Sequence, residues 1–241
     1  MKTMANITVL LTLFSINLFA SVSSCEITGD TNFQASYEMS TPRGKNQLDY
    51  YRMKERSAFE YKGQGITEVW TKTQSDNAFL IHGFDDDKRA IEYEVIDLKM
   101  EHKSSSWEKK KNLVHPDSFD FPKGFVEKSQ GCALHHYSKK LEDTEIKMVW
   151  NEAKEILVSL EVKHKGEETY SYVLQALKPI DVKDNHITVV QAYDRTDFAD
   201  IGDNESDPFF RKMINLGFIE HHEANIIDAQ GNTLALQHSH H

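Results

Sequence analysis

The sequence predicts an α+β protein: a curved, mainly antiparallel β-sheet, a meander, with a few short helices packed on it. Three observations predict this. Apolar and polar residues alternate with a period of two in successive runs, the mark of strands with one wet face. Short turns rich in glycine and charge separate those runs. Capped helical patterns occur in only a few brief stretches.

Met1 to Ser24 reads as an export signal. Lys2 supplies the positive start, "ITVLLTLFSINLFA" (Ile7 to Ala20) the apolar run and "SVSS" the small residues. A bilayer span needs about 20 apolar residues, so the run fits a cleaved signal better than an anchor. "VSSC" (Val22 to Cys25) matches a loose lipoprotein box, with Cys25 as the lipidated residue and membrane association following only from that lipid. The alternative is ordinary cleavage and a Cys25–Cys132 disulfide in an oxidising compartment. Closing so long a loop contributes about 4 to 5 kcal/mol on chain-entropy estimates. These are the two cysteines of the chain, and no Cys-x-x-Cys pair exists. The expected location is periplasmic or outer-membrane associated.

The first sheet region holds Ala58 to Tyr61 and Ile66 to Lys72, joined by a "KGQG" turn. Phe79 to His82 leads into "GFDDDKR", read as a solvated hairpin tip because the Asp-x-Asp-x-Asp-Gly order of a calcium loop is missing. Ile91, Tyr93 and Val95 then alternate with Glu92, Glu94 and Ile96. "SSWEKKKNLV" places Ser105 and Glu108 at capping-box spacing, so a short helix is expected there. The clearest run spans Glu145 to Pro179. Ile146, Met148 and Trp150 share one face; Ile156, Val158, Leu160 and Val162 form a second row; Tyr170, Tyr172, Leu174 and Ala176 form a third.

A boundary is placed after Val182, giving a signal (1–24), a sheet domain (25–182) and a C-terminal extension (183–241). In the extension Asp207 or Ser206 caps a helix over 208–216, with Pro208 in its first turn and Gly217 at its end. The acidic stretch "DFADIGDNESD" puts negative charge ahead of that helix, where its dipole favours anions.

Composition excludes several functions. After the signal, 27 basic residues face 38 acidic ones, a net charge of −11. Such a surface repels phosphate backbones, so no nucleic-acid partner is expected. Aromatic residues make up 10% of the chain, which suits a β-rich fold. No nucleophile elbow, His-Glu-x-x-His or phosphate-binding glycine loop occurs. The chain therefore reads as non-enzymatic, with no cofactor. Histidine is the one enrichment, at twelve residues. Adjacent pairs such as His135–His136 point to opposite faces of a strand, which disfavours chelation. His238, His240 and His241, in a polar tail, are the candidate ligands for a metal.

Signal, short helix and a long meander with "VWNEAKEILVSLEVK" (Val149 to Lys163) as a hairpin resemble periplasmic lipoprotein-carrier proteins of the LolA/LolB type. The resemblance covers roughly Phe33 to Pro179. It implies a curved sheet wrapped around a helix-lidded apolar cavity that shields acyl chains. On this reading the protein is an exported binding or carrier module for a lipid or other apolar ligand, and Trp150, Val158, Tyr170, Tyr172 and Leu174 line its concave face. The alternative is a periplasmic metal-binding protein using the C-terminal histidines.

Overall fold

Alternation along the chain becomes two rows of side chains on either side of one large sheet. The structure is a computed structural model, and it describes residues 32–122, 124–129, 132–181, 183, 185–204 and 206–217. The signal segment, Cys25 and the histidine tail lie outside the described residues.

The strands are β1 (Phe33–Thr41), β2 (Gly44–Met53), β3 (Arg56–Tyr61), β4 (Ile66–Lys72), β5 (Ala78–Phe84), β6 (Arg89–Tyr93), β7 (Phe125–Ser129), β8 (Cys132–Leu141), β9 (Thr144–Asn151), β10 (Ile156–His164), β11 (Glu167–Pro179) and β12 (Asp194–Asp197). They form one open sheet in the order β12-β6-β5-β4-β3-β2-β1-β11-β10-β9-β8-β7. Two antiparallel meanders, β1 to β6 and β7 to β11, meet at the β1–β11 seam. There Phe33 faces Pro179 and Ser40 faces Ser171. β12 adds a parallel edge on β6, with Thr196 opposite Ile91. The helices are α1 (Val95–Met100), α2 (Trp107–Lys110), α3 (His186–Gln191) and α4 (Pro208–Asn215).

One face of the sheet carries the main core. Phe33, Ala35, Tyr37 and Met39 of β1 continue into Leu48 and Tyr50 of β2, and into Ile146, Met148 and Trp150 of β9. All are 8% exposed or less. The segment between β6 and β7 folds onto this face through Trp107 and Phe119, and α4 does so through Phe209, Phe210 and Met213. The opposite face differs between the two meanders. Across β2 to β6 it is also buried, because α3 lays Ile187 and Val190 against Met53, Ala58, Val69 and Ile81. Across β9 to β11 it stays partly open to solvent and mixed, with Lys147 exposed and Val149, Ser159, Glu161 and Val173 half-buried. The expectation of one wet face therefore holds for the second meander and not for the first.

Residues 183–217 are part of the same sheet assembly: α3 covers its outer face, β12 extends it and α4 closes a rim. Asp207 caps α4 by accepting from the Phe209 amide at 2.8 Å, and it pairs with Arg89 of β6 at 2.6 Å.

Three local departures from the sequence reading have clear causes. Val95 does not extend β6. The Glu94 amide donates to Asp97 Oδ2 at 2.8 Å, closing half of a capping box that starts α1 instead. Ser106, not Ser105, precedes α2, since the Ser105 hydroxyl is engaged with Asn77 Oδ1 at 3.1 Å. In β10 the register shifts between Leu157 and Ser159. Val158 is then the extra residue of a bulge, and Leu157 takes the place opposite Trp150.

Candidate ligand-binding face

The face that carries the main core has two ends, and different parts of the chain close them. At one end Trp150 lies 1% exposed beneath His115, their rings 5.1 Å apart and edge to face. Its indole Nε1 donates to Glu152 at 3.2 Å. The covering segment is pinned there by side chains that reach its carbonyls: Tyr50 to Lys111 at 2.5 Å, Ser57 to Lys110 at 2.6 Å and Lys139 to Phe119 at 2.7 Å. Arg52 adds hydrogen bonds to Asn112 and to the Lys154 carbonyl.

The other end is lined by tyrosines. Tyr170 and Tyr172 meet edge to face at 4.9 Å, and Tyr172 meets Tyr37 at 6.2 Å. The Tyr170 hydroxyl lies 3.8 Å from Met39 Sδ. Tyr61 and Tyr170 are half-buried, as are Val114 and His115 at the Trp150 end, while the two tyrosine hydroxyls lie in apolar surroundings. Burial pushes the Tyr61 and Tyr170 phenols well above their usual range. Burial also raises Tyr172, to about 12, against a hydrogen bond from Tyr170 that lowers it.

Glu68 points into this apolar wall from β4, accepting a hydrogen bond from Trp70 Nε1 at 3.1 Å. Nearby, the Lys110 ammonium sits 4.2 Å from the centre of the Trp70 ring, and Lys103 sits 5.3 Å from that of Tyr93. Burial lowers both lysine pKa values, offset in part by the charges of Glu101 and then Glu68 at Lys103, and by that of Glu68 at Lys110. A few charged groups in apolar walls are the usual make-up of a ligand site. Glu68 was legible in principle, as a carboxylate at an inward strand position between Ile66 and Trp70.

Of the residues named from the sequence, Tyr170, Tyr172 and Leu174 fall on one inward row of β11, and Trp150 lies on the same face at the far end. Val158 occupies the bulge of β10, half-buried and outside the main core. His238, His240, His241 and Cys25 lie outside the described residues, so neither the tail site nor a Cys25–Cys132 bridge is placed.

Two further features sit elsewhere. An open groove of about 740 Å³ runs along β8 to β11, lined by Phe125, His136, Lys147, Val149, Glu161 and Val173 among others. Phe125, 65% exposed, stacks on His136 at 4.4 Å. On the outer face of the first meander, Asp85, expected at a solvated hairpin tip, turns inward. It accepts from Tyr193 at 3.0 Å, lies 3.1 Å from the Thr67 hydroxyl and pairs with His186 at 3.5 Å. Glu60 lies 3.8 Å from the same imidazole nitrogen.

No family model and no curated protein matches the sequence. Among solved structures, PNGF-II aligns with a TM-score of 0.44 at 9% identity, over 72% of this chain and 33% of that one. A chain of the Pseudomonas aeruginosa MucA/MucB complex aligns at 0.38 and 7% identity, over 66% of this chain and 55% of that one. MucB alone gives 0.34 at 7%, over 66% and 57%. This chain thus spans about a third of PNGF-II and just over half of the other two chains. Scores this low leave its function to be argued from its own geometry.

Proposed function

We propose that the protein is an exported, non-enzymatic carrier that binds a lipid or other apolar ligand on the face that carries the main core, entering at the end lined by Tyr61, Tyr170 and Tyr172. The observation that carries this reading is the kind of cover the face has. An extensive apolar and aromatic surface is closed by helices of six, four and eight residues and by irregular chain, with no second sheet over it among the described residues. Helices that short have no stability of their own, so the cover is held only by its docking contacts. An apolar ligand would have to displace part of that docked cover, exchanging its apolar contacts for those of the ligand. The half-buried tyrosines mark where an acyl chain would first meet apolar surface, and the export signal fits a molecule that handles such ligands outside the cytoplasm.

The test is titration of the processed protein with the apolar fluorophore N-phenyl-1-naphthylamine, followed by competition with a fatty acid. Saturable, competed binding is expected. Tyr170→Ala should weaken it about fivefold, the equivalent of one aromatic contact of about 1 kcal/mol. Absence of saturable binding, or affinity indifferent to Tyr170→Ala and Tyr172→Ala alike, would rule the carrier reading out.

A further inference from the structure

We propose that Glu60, Asp85 and His186 form a binding site for a divalent transition metal, with zinc as the fitting ion, on the outer face of the first meander. The proposal is independent of the carrier reading and of the histidine tail.

Geometry comes first. His186 Nε2 lies 3.5 Å from Asp85 Oδ1 and 3.8 Å from Glu60 Oε1, and the three donor atoms are all within 4.8 Å of one another. Bonds of about 2.0 to 2.2 Å to a tetrahedral zinc ion place neighbouring donors about 3.4 Å apart. Two of the three separations need to contract by only a few tenths of an ångström. One imidazole and two carboxylates suit zinc and leave a fourth position open.

The surroundings supply a second argument. The Tyr51 hydroxyl donates to Glu60 Oε2 at 2.6 Å, and the Tyr193 hydroxyl donates to Asp85 at 3.0 Å. Glu60 is held through the oxygen that faces away from His186, and Asp85 Oδ2 is held by the Thr67 hydroxyl at 3.1 Å, as in the usual outer shell of a metal site.

Charge supplies a third. Asp49 sits directly across from Glu60 in the β2–β3 pairing and is 3% exposed. Its Oδ2 takes hydrogen bonds or ion pairs from Gln34 and Lys62, but its buried Oδ1 has no hydrogen-bond partner. Three carboxylates, of Asp49, Glu60 and Asp85, therefore face one ammonium, that of Lys62. With a neutral imidazole these groups carry a net charge of −2, which a divalent cation cancels. Two groups compete with the ion: the Thr67 hydroxyl, 2.9 Å from His186 Nε2, which must rotate off that nitrogen, and Lys62. The Lys62 Nζ lies 2.5 Å from Glu60 Oε1, and its side chain, 41% exposed, is free to swing into solvent when the ion takes that oxygen.

The experiment is calorimetric titration of zinc into the full chain carrying His238→Ser, His240→Ser and His241→Ser, which removes the tail's own affinity. One zinc per chain is expected. Asp85→Asn, which keeps the shape of the side chain, should weaken binding at least tenfold, and Lys62→Ala should tighten it. The surface substitution Lys62→Ala keeps the test decisive if Asp85→Asn fails to fold. The proposal is overturned if no stoichiometric binding is seen, or if neither substitution changes the affinity in the stated direction.

Discussion

Replacing Gly83 with alanine should loosen α3 from the sheet. Gly83 lies in β5, and a Cβ added there would sit 2.6 Å from Val190 Cγ1 on α3. Carbon atoms pack best at about 3.5 to 4.0 Å, so one element must retreat by about 1 Å. Val190 is 0% exposed, and Ile187 beside it is equally buried, so the helix has no slack in which to turn. Overpacking of this kind costs about 1 to 3 kcal/mol. The reverse change, Val190→Ala, removes two buried methyl groups, worth about 0.8 kcal/mol each, plus a cavity term, or about 2 kcal/mol in total. Combined, the two changes should compensate, because the new methyl group occupies the space the valine gave up. The double variant should then be about 1 to 2 kcal/mol more stable than the two single effects predict. Urea unfolding followed by far-ultraviolet circular dichroism measures all four corners of the cycle. Additivity within about 0.5 kcal/mol, or a Gly83→Ala protein as stable as the parent, would refute the argument that glycine is there to admit the helix.

Two other expectations concern stability. Burial alone would raise the Asp85 pKa, but the hydrogen bond and charge of His186, then Tyr193 and Thr67, outweigh it and hold the carboxyl below its usual value of 3.8. A depressed carboxyl stabilises the fold above the unfolded pKa, and the gain is lost as pH falls through the folded one. The melting temperature should therefore drop below about pH 4, and Asp85→Asn should flatten that fall; identical acid profiles for the two proteins would count against the network. Trp150→Ala should cost about 3 to 5 kcal/mol in urea unfolding, as for other fully buried aromatics, and a loss under about 1 kcal/mol would mean that end of the main core is not packed as described.

How far the sequence was legible depended on where each partner lay. The β9–β10 hairpin and the inward row Tyr170, Tyr172, Leu174 follow from alternation, since a strand's faces are set by its own period. The α4 helix followed from Asp207, Pro208 and Gly217, whose capping roles act within a few residues. The bulge at Val158 did not, because Leu157 and Val158 are equally apolar and only pairing with β9 chooses between them. The short α3 went unread, because its six residues, His186–Gln191, carry too little periodicity and begin inside a stretch read as a polar boundary. Glu60, Asp85 and His186 went unread for a different reason. They stand 25 and 101 positions apart in sequence, and each is an ordinary polar residue in its own neighbourhood.

By itself, then, the order of residues determined β3 to β6, β9 to β11 and one good helix, because backbone pleat and end-capping are short-range physics, while β1, β2, β7, β8 and β12 went unread. Tertiary structure alone decided that α3 covers the outer face of the first meander while β12 extends its edge and α4 packs on the inner face, that a glycine admits α3, and that three distant polar side chains converge there. Burial of apolar surface drives that packing, and burial depends on which surfaces the rest of the chain has left exposed.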